Sequence, residues 1–115
     1  MVRPSHLLGF IYLAPFLESA EAMGFGDADF RRLEAALLVN PEAGRRIPRT
    51  NGARKLRLGT KGRGKRGGAR VIYFYRTLQG QIYMLHLYAK GRKDNLTRDE
   101  EQEIAGLIRM LEGDR

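Results

Sequence analysis

Two consecutive runs in the second half of the chain constrain its fold more than any other feature. Arg70-Val-Ile-Tyr-Phe-Tyr-Arg76 and Gln81–Ala89 are rich in β-branched and aromatic residues, and Thr77–Gly80 between them reads as a hairpin turn. A lone hairpin is marginal in water, so further strands and a layer of helix must lie against it. The flanking sequence supplies both. Leu8–Leu13, with Phe10, Ile11 and Tyr12, reads as a first strand, and Lys55-Leu-Arg-Leu58 alternates basic and apolar like a half-buried one. Pro15 can open a helix through Phe16, Leu17, Ala20 and Met23 that stops at Gly24. Asp27 is the expected cap of a second helix, in which Phe30, Leu33 and Leu37 share a face until Asn40-Pro41 ends it. Near the C-terminus Thr97 and Glu100 have capping-box spacing, and Ile104, Leu107, Ile108 and Leu111 form one apolar stripe.

The expected order is therefore β-α-α-β-β-β-α, of the α+β class: a small antiparallel sheet with helices on one face. A chain of 115 residues has room for one core, so residues 1–115 are read as a single domain. Simple alternation in the last strand puts Leu85, Leu87 and Ala89 on a core face. It puts Met84, His86, Tyr88 and Lys90 on the other, expected to be an exposed working face. Leu7–Leu17 behind Arg3, followed by Ala20-Glu21-Ala22, has the outline of a secretory signal. Gly9 and Pro15 interrupt that run and its leading segment carries one charge, so a place inside the folded domain is expected instead. No stretch reaches the ~18 apolar residues of a membrane span.

Charge narrows the function. The net charge is +8, yet 15 of the 21 Lys and Arg residues fall between Ala43 and Lys93, a block of 51 residues without one Asp or Glu. The rest of the chain is net negative by 7. A solvated surface would intersperse both signs, and unneutralised like charges weaken the compact state, so the block is expected to meet a polyanion. Cysteine is absent, which excludes a disulfide framework, a thiolate metal site and a Cys nucleophile, and suits a reducing cytoplasm. The only histidines are His6 and His86 and no HExxH-like spacing occurs, so no metal site is expected.

Strand parity can gather Lys55, Arg57, Arg70, Tyr88 and Lys90 onto one sheet surface. Arg guanidinium binds phosphate through a planar fork, Lys supplies a point charge, and Tyr can stack on a base. Gly59–Gly68 holds five glycines and four basic residues, Lys61, Arg63, Lys65 and Arg66. It is not a P-loop, because no GxxxxGK[ST] is present and it leads into a strand, so it is expected as a basic loop that touches phosphate or merely aids solubility. His86 is expected to pack, with proton transfer as the alternative.

These strings carry a resemblance. Gly52-Ala-Arg-Lys-Leu-Arg57, the basic glycine loop, Gly68-Ala-Arg-Val-Ile-Tyr73, and Leu87-Tyr-Ala-Lys90 followed by Asp94-Asn-Leu-Thr97 resemble, in order and spacing over roughly residues 9–112, the HigB branch of the RelE/ParE toxin superfamily. The resemblance implies a β-α-α-β-β-β-α fold and the toxin of a type II toxin–antitoxin pair. It implies a cytoplasmic, metal-independent endoribonuclease that cuts mRNA on the ribosome, and a cognate antitoxin, often with a helix-turn-helix DNA-binding domain. By motif position Lys55 and Arg57 match basic second-strand residues of the ribonuclease branch, and Arg70 matches the arginine that grips the scissile phosphate. Tyr88 and Lys90 match the end of the last strand, while Lys61, Arg63, Lys65, Arg66 and Arg92 would hold RNA. No aromatic residue follows Tyr88, whereas some relatives carry a tyrosine there. The alternatives are a ParE-like DNA gyrase inhibitor and a non-catalytic nucleic-acid-binding module.

Overall fold

The computed structural model describes residues 9–59, 68–89, 91 and 95–113. Strands β1 (Gly9–Tyr12), β2 (Arg45–Arg46), β3 (Arg54–Leu58), β4 (Ala69–Arg76) and β5 (Gln81–Ala89) form one sheet in the order β1-β5-β4-β3-β2. Helices α1 (Ala14–Met23), α2 (Asp27–Val39) and α3 (Arg98–Leu111) complete an α+β fold. The central pair is the hairpin expected from the sequence, closed by a short 3₁₀ turn at Thr77–Gln79 and a left-handed Gly80 at φ 64°.

Three details differ from the expectation. First, the sheet is mixed, because β1 runs parallel to β5 while every other pair is antiparallel. A chain that leaves β1 through two helices and crosses the sheet before returning can approach β5 in the same direction. Second, helices cover both faces. Phe16, Ala20, Leu33 and Leu37 of α1 and α2 pack with Val71, Tyr73, Met84 and Leu87, whereas Ile104 and Ile108 of α3 pack with Ile72, Phe74, Tyr83 and Leu85. Third, β2 is a two-residue edge strand, too short to show a period. The caps of α1 and α3 fall as expected. Gly24 adopts φ 73° after α1, and Thr97 and Glu100 exchange side-chain-to-backbone bonds of 3.1 and 2.9 Å. At α2 the cap is Gly26, not Asp27, and the Asp29 carboxylate accepts the Gly26 N–H at 2.9 Å.

A β-bulge changes how β5 is read. Ile72 pairs with His86 but Tyr73 pairs with Met84, so Leu85 is an extra residue with no partner across the ladder. The insertion shifts the side-chain phase by one residue. Met84 and Leu87 therefore both point to α1 and α2, and Leu85 and Tyr88 both point to α3, which overturns the simple alternation expected for this strand.

The segment after α2 is pinned by one hydroxyl. Fully buried Tyr73 donates to the Pro41 carbonyl at 2.8 Å and accepts the Gly44 N–H at 2.9 Å. Gly44 must be glycine, since a Cβ there would sit 2.9 Å from both the Lys55 carbonyl oxygen and the Tyr73 ring. This contact delivers β2, and with it Arg45, to the sheet edge. Burial, opposed by the Gly44 hydrogen bond, raises the Tyr73 pKa above its ordinary value. A tyrosine whose folded pKa is raised contributes stability fully below the unfolded value of about 10 and loses it as pH rises through the folded one. Replacing Tyr73 by Phe strands the buried Gly44 N–H and the half-buried Pro41 carbonyl and is expected to cost about 1–3 kcal/mol in urea unfolding at neutral pH. The same variant should show a shallower loss of stability than the parent above about pH 10.

Candidate active site

Pairing register decides which basic residues meet. Arg57 stands opposite Arg70 and Arg70 opposite Tyr88, and residues directly opposite in an antiparallel ladder share a face. The next row along the same face is Arg45, Lys55, Ile72 and His86, on four successive strands. Neighbours within a row are about 4.8 Å apart and the rows about 6.7 Å apart, from strand geometry. Lys55, Arg57, Arg70 and Tyr88 thus lie on one face, as the sequence implied. The bulge at Leu85 is what leaves His86 and Tyr88 on that face.

The face is not the open surface expected of it. Arg57 is exposed and Lys55 half-buried, but Arg70 is only 2% and Tyr88 7% exposed. The reason is position: β4 and β5 are interior strands, and Tyr88 packs in the same cluster as Ile104 and Ile108 of α3. The Arg70 guanidinium turns back to the Ala69 carbonyl at 3.4 Å. The His86 ring lies 5.9 Å from that of Tyr88. Of the remaining expected residues, Lys61, Arg63, Lys65, Arg66, Lys90 and Arg92 lie outside the described part of the chain.

Beside the open end of these rows runs a groove of about 940 Å³, bounded by β2, β3, the loop after β2 and the start of α3. Arg45, Arg49, Lys55, Arg57, Asn95 and Glu101 line it, and Arg70 and Tyr88 do not. Arg45, Arg49, Asn95 and Glu101 escaped the sequence reading. Arg45 and Arg49 belong to the carboxylate-free block, but only the existence of β2 places them next to Lys55. Lys55 donates to the Asn95 side-chain oxygen at 3.0 Å.

The groove wall is held by one buried carboxylate. Glu101 accepts two bonds from Arg49, Nε to Oε1 at 2.8 Å and Nη2 to Oε2 at 3.1 Å, while Arg98 Nε stands 3.9 Å away. Arg49 and Asn51 adopt left-handed backbone, φ 65° and 64°, which costs about 1–2 kcal/mol at Arg49 and is better tolerated by Asn. Both side chains reach α3, since Asn51 Nδ2 donates to the Ala105 carbonyl at 3.0 Å. Buried Thr50 closes the loop by donating to the Ile47 carbonyl at 2.7 Å and accepting the Ala53 N–H at 3.1 Å. The result is a rigid, basic groove whose lining carboxylate is already engaged by Arg49. Such an arrangement offers N–H donors of the kind that bind a phosphate backbone. Among the described residues no three His, Asp or Glu side chains converge to hold a metal ion, and no helix is long and apolar enough to cross a membrane.

Residues 50–112, more than half of the chain, match the family described as the RelE toxin of the RelE / RelB toxin-antitoxin system. The chain belongs to the RelE toxin family. The matched segment runs from the loop beneath the groove through α3, so it includes both rows except Arg45. Among solved structures, the fold is similar to that of a double arginine-to-alanine mutant of the E. coli toxin RelE in the free state. The TM-score is 0.54 at 14% identity, covering 90% of this chain and 98% of that one. At that identity the likeness concerns the fold: one mixed sheet with helices on both sides.

Removing Arg49 takes both of its hydrogen bonds from the buried Glu101 carboxylate and leaves Arg98 as a distant countercharge. Arg49→Ala is expected to destabilise the chain by about 1–3 kcal/mol in chemical denaturation. The Arg49→Ala/Glu101→Ala double mutant should lose markedly less than the sum of the two single changes.

Proposed function

We propose that the chain is a cytoplasmic, metal-independent endoribonuclease that cuts mRNA on the ribosome, and that an antitoxin partner holds it inactive. The observation that carries this reading is the pair of rows Arg57–Arg70–Tyr88 and Arg45–Lys55–Ile72–His86, basic along the edge of the sheet and free of carboxylates. Membership of a toxin family supplies the biological setting. The strings Leu87-Tyr-Ala-Lys90 and Asp94-Asn-Leu-Thr97 support the HigB-like branch, whose antitoxins often carry a helix-turn-helix domain.

The reaction is transesterification. The RNA 2′-oxygen attacks the adjacent phosphorus, the new O2′–P bond forms as the P–O5′ bond breaks, and the products are a 2′,3′-cyclic phosphate and a 5′-hydroxyl. A base takes the 2′ proton, an acid supplies one to the departing 5′-oxygen, and cations stabilise the crowded, more negative phosphorane. Arg57, exposed on β3 as Arg45 is on β2, meets the phosphate first. Lys55 beside it is the amine placed for proton transfer, with Lys90 as the second candidate. Arg70 stands behind Arg57 and completes the charge on the phosphorane once RNA opens the face. Tyr88, next in the row, is the phenol that remains for acid catalysis or stacking. Lys61, Arg63, Lys65, Arg66 and Arg92 bind the flanking mRNA and ribosomal RNA.

The test is cleavage of a defined mRNA by the purified chain with and without ribosomes. Cuts within translated codons, only when ribosomes are present, are expected. Intact mRNA with altered DNA supercoiling would replace this reading by gyrase inhibition. Lys55→Ala and Arg57→Ala should each lower the cleavage rate about 10²-fold or more. Arg70 is buried, so Arg70→Lys, which keeps charge but not the guanidinium fork, tests it with less risk to folding than Arg70→Ala. RNA affinity should fall linearly on a log–log plot against salt, and a flat response would mean that the basic block meets something other than phosphate.

A further inference from the structure

We propose that Asn95 is a positioning residue for Lys55: its side-chain oxygen holds the lysine amine over the basic face without adding a charge to it. The inference rests on the endonuclease reading above and concerns a residue that contributes no ionisable group of its own. The lysine side chain is long and rich in rotamers, and a proton-transfer group must be held close to one geometry to be effective. Lys55 donates to Asn95 Oδ1 at 3.0 Å across 40 residues of chain.

Asn95 is itself placed by its C-terminal neighbours. Leu96 packs against the cluster that contains Ile104 and Ile108, and Thr97 closes the capping box that starts α3. Helix α3 is in turn tied to the loop beneath the groove by the Arg49–Glu101 and Asn51–Ala105 bonds. The amide therefore sits at the end of a fixed element, although its own side chain is exposed. The choice of an amide has chemical content. A carboxylate at this place would favour the charged ammonium and push its deprotonation to higher pH, whereas a neutral carbonyl orients the amine with far less bias. The carboxylate that does line the groove, Glu101, is engaged by the Arg49 guanidinium.

The experiment compares the full-length wild-type chain with Asn95→Ala and Asn95→Asp in two assays. The first is the pH–rate profile of mRNA cleavage on programmed ribosomes. Asn95→Ala is expected to lower kcat about tenfold with KM little changed, the rate equivalent of one lost hydrogen bond. In Asn95→Asp the limb of the profile that Lys55→Ala abolishes should move to higher pH by about one unit. The second assay is NMR of the Lys55 ε-methylene and amine in the free protein, which does not depend on any activity. Lower order in Asn95→Ala and a higher titration midpoint in Asn95→Asp are expected, with the unfolding midpoint unchanged in both.

Wild-type rates and profiles in both variants would overturn the positioning role, even if the NMR signals move. Unchanged Lys55 signals would overturn it whether or not the chain cleaves RNA. A wild-type chain that leaves ribosomal mRNA intact would instead defeat the endonuclease reading. The NMR arm would then still decide whether Asn95 holds the amine.

Discussion

Strand β4 is buried from both sides, and the rest of the molecule is arranged to make that possible. Val71 and Tyr73 point one way and Ile72 and Phe74 the other, and all four are buried. Fully covering a large apolar side chain is worth about 1.5–3 kcal/mol, so a strand with no polar side needs a cover on each face. Helices α1 and α2 provide one cover and α3 the other. Arg70, near the start of the same strand, is the exception: a cation in an otherwise apolar run, buried behind Arg57 and outside the lining of the groove.

Much of this was present in the local sequence. The hairpin, the three helices and the caps of α1 and α3 follow from side-chain period and from Gly24, Pro41 and Thr97, whereas the cap of α2 fell one residue earlier than Asp27, on Gly26. The two-sided burial of β4 was also available in principle, since Val-Ile-Tyr-Phe is a continuous apolar run and not an alternating one. What local pattern could not supply depends on pairing. The phase of β5 turns on a residue that bulges only relative to its partner strand. The edge strand Arg45–Arg46 is visible only against β3. The separate placement of α3 depends on Arg49 and Asn51 reaching it from 52 and 54 positions away.

The candidate site divides along the same line. Lys55, Arg57, Arg70 and Tyr88 could be gathered from parity because strand geometry transmits position faithfully from one residue to the next. Their burial could not, because the depth of a row is set by how many strands flank it and by what packs above. Arg57 and Arg70 have the same side-chain type and are directly paired, yet one is open and the other enclosed. The segregation of charge acquires a structural meaning as well. Glu101 comes from the acidic part of the chain and is folded into the wall of the basic groove, where Arg49 engages it through both carboxylate oxygens. Acidic side chains are thus not merely absent from the block; among the described residues lining the groove, the one carboxylate is occupied.

The bulge at Leu85 gives one strand two independent assignments. Before it, Ile82 and Met84 serve the core under α1 and α2; after it, His86 and Tyr88 serve the row that begins at Arg57 and Arg45. Without the extra residue, any choice of which side chains fill the core would also dictate which ones join the site. With it, the two halves of β5 are decoupled, like two gears on one shaft joined by a half-step. Substitutions that retune packing in the first half leave the orientation of the second untouched, and the end of the strand that joins the candidate site is free to diverge on an unchanged core.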